Sequence, residues 1–201
     1  MNMNEDDFIE LAKNGILDIE ISRSNYKDYD NFDFHNIKKI TDELGINIWS
    51  FHLPFAPFDL IDISAIEKGK RCKTIDMLSE LIKAGGSIGI GKFIVHPSGE
   101  PITEKERKER LKNSRESLSK LADTAEKFNA VICVEDLPRT CLGNCFEEMN
   151  FLTAEDERIK VCFDTNHIVV EKPEEVIRKL KDKIITLHIS DFDFIDEKHW
   201  I

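Results

Sequence analysis

The sequence predicts a single α/β domain in which parallel strands alternate with helices. Six short apolar runs of mostly β-branched or aromatic residues are separated by stretches with helical periodicity, and each run ends in a polar or charged residue. Apolar runs of this length that alternate with amphipathic helices are typical of parallel βαβ units, whose strands are buried on both faces. No linker, low-complexity tract or block of like charge divides the chain, so we expect one domain over residues 1–201.

Each predicted strand has a polar side chain at its carboxyl end. They are Ile16–Glu20, Asn47–His52, Lys92–His96, Ala130–Glu135, Lys160–Asp164 and Ile184–His188. Because the strands of a parallel sheet all point the same way, these end residues are expected along one edge of the sheet. Parallel α/β folds keep their functional sites at that edge.

Helical patterns fill the intervals between the strands. Asp33 is a predicted N-cap, and Gly45 is the predicted C-terminal cap of the same helix. Thr103 and Glu106 have the spacing of a capping box ahead of a long helix. The other helical patterns lie ahead of Gly15, ahead of Gly85–Gly86 and after Pro173.

The composition disfavours several classes of partner. A net charge of -11 opposes non-specific binding to nucleic acid or to anionic lipid, so neither nucleic acid nor a membrane is an expected partner. No apolar run approaches the about 18 residues of a membrane span, and the acidic start lacks the features of a secretory signal. The five cysteines have irregular spacing, which predicts reduced thiols and a cytoplasmic location.

Histidines and carboxylates are concentrated at the strand ends. Of the six histidines, four lie at or just after a predicted strand end, namely His52, His96, His167 and His188. Imidazoles that converge with carboxylates, without thiolates, are the ligands of Zn²⁺, Mn²⁺ or a similar divalent ion. Glu20 ends the first predicted strand, and a helix cap or a salt bridge explains this residue equally well.

Four segments resemble the xylose-isomerase-like TIM barrels. They are Phe93–Gly99, Val134–Asp136, Cys162–His167 and Leu187–Asp191, and they occur in the order of that superfamily. The superfamily includes sugar isomerases, ketose 3-epimerases, inosose-processing enzymes and apurinic/apyrimidinic endonucleases. The resemblance implies a (β/α)₈ TIM barrel, here partial with about six parallel strands.

The resemblance to the isomerase and epimerase branch also implies a metal and a reaction. A divalent ion would be held by Glu135, Asp164 and His188, with Mn²⁺ or Zn²⁺ favoured over Mg²⁺ or Co²⁺. Glu135 and His167 are the implied catalytic residues of a sugar or sugar-phosphate isomerase or epimerase. That reaction moves a proton next to a carbonyl and passes through an enediolate.

His52, His96 and Arg139 are the candidate substrate-binding residues. Arg139 is suited to a carboxylate or phosphate, and a surface salt bridge is the alternative interpretation. In the endonuclease branch, histidines that match His52 and His96 join a site of several zinc ions, which makes a phosphodiesterase the second functional hypothesis. Glu197, two residues before His199, stands where that branch has Asp, and this weakens the second hypothesis.

Barrels of this family are longer than the present chain, which leaves open whether the chain is catalytic. We find no counterpart of the eighth strand, whose Glu is the fourth metal ligand in the family. A third hypothesis is therefore a non-catalytic, metal-binding barrel fragment, weakly active or inactive as an isomerase. Open edges are expected near Ile16–Ile19 and Ile184–Leu187, and such edges favour a homo-oligomer or a marginally stable fold.

Overall fold

The computed structural model describes residues 5–30, 32–168 and 170–191, and its six strands form one sheet. The strand order follows the chain, and every neighbouring pair is parallel. The strands are Asp18–Ser22 (β1), Asn47–His52 (β2), Lys92–Val95 (β3), Val131–Glu135 (β4), Ile159–Asp164 (β5) and Ile184–His188 (β6). The predicted partial barrel of six parallel strands is confirmed.

Helices connect the strands and cover the outer face of the sheet. They are Glu5–Lys13 (α1), Phe34–Leu44 (α2), Lys68–Ser87 (α3), Glu104–Ala125 (α4), Phe146–Thr153 (α5) and Pro173–Leu180 (α6). The Asp33 carboxylate accepts a hydrogen bond from the backbone N–H of Asn36, and Gly45 ends α2 with a φ of 69°. None of the described helices is long and apolar enough to cross a membrane.

The sheet is curled, so that side chains of the first and last strands touch. Within the described residues β1 pairs only with β2, and β6 pairs only with β5. The Glu20 carboxylate of β1 nevertheless lies 3.1 Å from Nε2 of His188 on β6. The Trp49 indole N–H on β2 donates to the Thr186 hydroxyl on β6 at 3.2 Å. These side-chain contacts span the open side of the barrel, where no strand of the described residues lies between β6 and β1.

The first strand begins later than the sequence pattern predicts. Ile16 and Leu17 are each 46% exposed and belong to the connection after α1, whereas β1 pairs with β2 from Asp18 onward. Glu20 is therefore the third residue of β1 and not its end. The register shifts between Ile19 and Glu20, so that Trp49 becomes an extra residue in β2.

The main core lies between the sheet and the helices. Phe51 and Phe93 on neighbouring strands are fully buried there, with ring centroids 6.0 Å apart. Gly85 lies against these rings, since a Cβ on it would be 2.9 Å from Cε1 of Phe93. Gly86 is even closer to Phe128, because a Cβ there would lie 2.5 Å from Cγ of that ring.

Helix α3 continues through both glycines to Ser87, although the sequence predicted its end at Gly85–Gly86. The two glycines allow close packing of α3 on aromatic rings, and the chain turns at Gly89, which has a φ of 91°. Helix α5 had no sequence-based prediction.

A buried polar network fixes the segment that follows β2. Arg110 on α4 donates to Oδ2 of Asp62 at 2.7 Å, and Oδ1 of Asp62 accepts from the backbone N–H of Ser64 at 2.9 Å. The Ser117 hydroxyl donates to the carbonyl of Ile63 at 2.7 Å. Buried polar groups that are hydrogen-bonded in this way hold a loop in one conformation. The segment is thereby positioned over the carboxyl ends of the strands.

We expect the substitution Phe93→Ala to lower the free energy of unfolding by about 3–5 kcal/mol, because it leaves a cavity in a close-packed core. Urea denaturation followed by circular dichroism measures this loss. As a control, Leu60 is 50% exposed, and Leu60→Ala should change the free energy by less than about 0.5 kcal/mol. Equal losses in the two variants would contradict the assigned core.

Candidate functional site

The carboxyl ends of the strands line one cavity of about 400 Å³. Every site residue predicted from the sequence lines it, namely His52, His96, Glu135, Arg139, Asp164, His167 and His188. The strand ends meet at this place because the sheet is parallel and curled. Their assignment to metal binding, catalysis or substrate binding stays a prediction.

Glu135 occupies the centre of the site. Its Oε2 lies 2.9 Å from Nε2 of His52 and 3.1 Å from Nε2 of His96. Its Oε1 lies 2.8 Å from Nδ1 of His188 and 3.7 Å from Nδ1 of His167. Burial by itself would raise the pKa of Glu135, but hydrogen bonds from His188, His52 and His96 hold that pKa well below its ordinary value.

A backbone contact constrains His52. Its Nδ1 lies 2.9 Å from the carbonyl oxygen of Leu53, so Nδ1 carries a proton and donates it. In a neutral ring Nε2 would then present a lone pair to Oε2 of Glu135, and two acceptors at 2.9 Å repel each other. A proton therefore lies between these atoms, unless both atoms bind one metal cation. Burial opposes the charge, yet Glu135 raises the pKa of His52.

His96 is held by stacking. Its ring lies against that of Phe55, with centroids 4.2 Å apart and an interplanar angle of 14°. Burial lowers the pKa of His96 in spite of its contact with Glu135, so this pKa shifts in the direction opposite to that of His52. Its Nδ1 is buried and has no hydrogen-bond partner among the described residues.

Asp136 orients two neighbours of Glu135. Its backbone carbonyl accepts a hydrogen bond from Nδ1 of His167 at 2.6 Å, which leaves the lone pair of the neutral ring on Nε2. Its side chain accepts from the backbone N–H of Asp164 at 2.7 Å. Asp136 was not predicted as a site residue, although its place directly after Glu135 in a strand-end motif was a usable signal.

The donor atoms fit a divalent cation. Ligand atoms of Glu135, Asp164 and His188 all lie within 4.8 Å of one another, and so do those of His52, His96 and Glu135. Carboxylate oxygens and imidazole nitrogens without thiolate suit zinc or manganese. Neither group of candidate ligands among the described residues includes a cysteine, and burial raises the pKa of the Cys162 thiol to about 12.

Arg139 lies at the rim of the cavity and is already paired. Its Nη2 and Nε donate to the two carboxylate oxygens of Glu100 at 2.6 and 3.2 Å. The salt bridge weighed from the sequence is therefore present, and a substrate anion at Arg139 would compete with Glu100.

Aromatic and apolar residues close the site on one side. Phe55 and Phe58, from the segment after β2, line the cavity together with Leu137 and Ile189. None of these four residues was predicted from the sequence, because an aromatic or apolar residue in a loop carries no local signal of what it covers. Glu197 and His199, which bore on the endonuclease hypothesis, lie outside the described residues.

Fold and site together define a TIM-barrel protein whose polar residues converge at the carboxyl ends of its strands. The chain belongs to the xylose isomerase-like TIM barrel family, whose sequence model matches residues 8–200. The resemblance recognised in the sequence is thereby confirmed. No curated protein matches the chain.

Solved structures of sugar epimerases have the same fold. A D-tagatose 3-epimerase-like protein superposes with a TM-score of 0.86 at 20% identity, over 98% of this chain and 76% of that protein. D-psicose 3-epimerase from Clostridium cellulolyticum H10 gives 0.78 at 21% identity, over 93% of this chain and 67% of its own. L-ribulose 3-epimerase gives 0.77 at 22% identity, over 93% and 64%. At these identities the likeness establishes the fold.

The low pKa of Glu135 predicts how acid affects the metal-free protein. The unfolded chain binds a proton at Glu135 near the ordinary pKa of 4.5, whereas the folded protein does not. Stabilisation from Glu135 is therefore present above that pH and is lost as the pH falls below it. We expect the free energy of unfolding to decrease on acidification through this range.

Urea denaturation at a series of pH values, with chelator present, measures this decrease. Glu135→Gln should flatten the pH dependence, and Leu60→Ala should keep the wild-type slope. A Glu135→Gln variant with an unchanged slope would show that other groups cause the acid sensitivity.

Proposed function

We propose that this protein is a divalent-metal-dependent isomerase or epimerase of a sugar or sugar phosphate. The observation that carries the proposal is the group of Glu135, Asp164 and His188, whose ligand atoms converge within 4.8 Å at the carboxyl ends of three neighbouring strands. A cavity of about 400 Å³ is of the size that small-molecule sites have. Proteins of the same fold carry the names of ketose 3-epimerases.

The proposed chemistry assigns a proton-transfer role to two residues. A divalent cation, when bound, would polarise the carbonyl of the sugar and so acidify the neighbouring C–H. Glu135, ionised by its imidazole neighbours, is placed to accept that proton. His167 has its Nδ1–H fixed on the Asp136 carbonyl, so that its Nε2 is suited to accept or return a proton.

Substrate binding is proposed for the residues around this centre. His52 and His96 line the cavity. Arg139 at the rim would bind a phosphate if the ligand replaced Glu100 as its partner. Phe55 and Phe58 reduce the access of water from one side, which strengthens the electrostatic interactions inside.

A substrate screen tests this function directly. The protein is stripped with chelator, reloaded with Mn²⁺ or Zn²⁺, and incubated with D-psicose, D-tagatose and L-ribulose and their phosphates. We expect metal-dependent conversion to an isomer or epimer, detected by chromatography. The variant Glu135→Gln should lose about 10²–10⁴-fold in rate, because it removes a proton acceptor.

His35 provides a matched control, since it is an exposed histidine on α2 away from the cavity. His35→Ala should retain the wild-type rate. Conversion that persists in Glu135→Gln, or that does not depend on metal, would refute the assignment.

A second candidate function is a phosphodiesterase with several zinc ions. It is favoured by the additional group of His52, His96 and Glu135, which shares its carboxylate with the first group. The net charge of -11 argues against a nucleic-acid substrate. The isomerase therefore remains the preferred proposal.

The number of bound ions separates the two functions. Metal analysis after dialysis should give one ion per chain for the isomerase, and His188→Ala should abolish this stoichiometric binding. Two or more ions per chain, together with cleavage of DNA at abasic sites, would instead favour the phosphodiesterase. Unchanged binding in His188→Ala would place the metal elsewhere.

A further inference from the structure

The open side of the barrel is spanned by a contact between a carboxylate and a site histidine. The Glu20 carboxylate of β1 and the His188 ring of β6 belong to strands that do not pair with each other in the described sheet. Their atoms Oε1 and Nε2 are nevertheless 3.1 Å apart. Glu20 also lines the cavity of the candidate site.

We propose that Glu20 is a positioning residue that fixes the ring of His188 for metal binding. The inference rests on the proposed function, because it takes the Glu135, Asp164 and His188 group as the metal site. The Glu20 carboxylate has no other role in the proposed reaction.

The two ring nitrogens of His188 face different partners. Nδ1 points into the metal group, 2.8 Å from Oε1 of Glu135 and 3.8 Å from Oδ2 of Asp164. Nε2 points away from that group toward Glu20. A histidine that ligates a metal through Nδ1 must carry its proton on Nε2, and a carboxylate that accepts this proton holds the tautomer and raises the basicity of the ligand.

Both oxygens of Glu20 are engaged by other side chains of the protein, as a positioning role requires. Oε1 faces Nε2 of His188, and Oε2 accepts a hydrogen bond from the Ser50 hydroxyl at 2.6 Å. Ser50 is 1% exposed and so provides a rigid anchor on β2. The chain of contacts therefore runs from Ser50 through Glu20 to His188.

His188 needs this support more than the other members of its group. Its side chain is 24% exposed, against 3% for Glu135 and 4% for Asp164. Its strand β6 pairs only with β5 among the described residues, so no described strand lies on the other side of β6. The hydrogen bond to Glu20 restrains the ring at Nε2, in addition to the stacking of the His52 ring on it at 5.7 Å between centroids.

Calorimetric titration of the chelator-stripped full chain with Mn²⁺ tests the inference. Glu20→Ala should weaken Mn²⁺ binding about 10–100-fold, the range typical for loss of such a partner. Glu20→Gln should weaken it less, because the amide oxygen still accepts the proton of Nε2. Ser50→Ala should also have a small effect, since it frees only the far oxygen of Glu20.

Thr186→Val is the matched control for a purely structural role. It removes the other hydrogen bond that spans the open side, from the Trp49 indole to the same strand β6. This variant should bind Mn²⁺ with wild-type affinity. If Thr186→Val weakened binding as much as Glu20→Ala, the effect would come from the strand edges, and the positioning role would be refuted.

The remaining outcomes separate this inference from the proposed function. Wild-type protein that binds no stoichiometric Mn²⁺, Zn²⁺ or Co²⁺ would overturn both. Wild-type binding with unchanged affinity in Glu20→Ala would overturn the role of Glu20 alone. If Glu20→Ala does not fold, as judged by circular dichroism, the Mn²⁺ affinities of Glu20→Gln and Ser50→Ala test the inference instead. Wild-type affinity in both of these variants would overturn it.

The visible spectrum of bound Co²⁺ should also change in Glu20→Gln, since this spectrum reports ligand geometry.

Discussion

The site depends on one buried carboxylate. Glu135 is 2% exposed and has an imidazole nitrogen from each of four histidines within 3.7 Å. An ionised carboxylate is costly to remove from water unless cationic or hydrogen-bonding partners compensate. The histidines compensate it here, and they come from different strands and loops. Burial of Glu135 is therefore compatible only with a sheet that brings these strand ends together.

The rest of the fold holds the strand ends around Glu135 in place. Aromatic side chains such as Phe51 and Phe93 fill the space between the sheet and the helices, and Gly85 lets α3 approach them closely. The polar network of Asp62 and Arg110 fixes the segment that carries Phe55 across the cavity. Packing and buried hydrogen bonds thus set the distances on which the electrostatics of the site depend.

The arrangement is suited to a cation at more than one place. His52 and Glu135 cannot face each other at 2.9 Å unless a proton lies between the two atoms or both atoms bind one metal ion. His188 lies between the carboxylates of Glu135 and Glu20 and has a raised pKa, because the hydrogen bonds it makes outweigh the effect of burial. In the metal-free protein protons compensate the charge of Glu135. A metal ion that binds must replace them, which couples metal binding to proton release.

The sequence by itself determined the alternation of parallel strands with helices and the residues at most strand ends, because period, caps and apolar runs are local properties. It placed Glu135 and His188 at strand ends that meet, and Asp33 at the start of α2. It did not determine that β1 begins at Asp18, which makes Glu20 the third residue of the strand. Nor did it determine that the Glu20 carboxylate contacts His188. These features depend on contacts between residues far apart in the chain. The same is true of the close packing at Gly85 and of which ring nitrogens face Glu135. Only the tertiary structure fixes such contacts, since no local pattern encodes them.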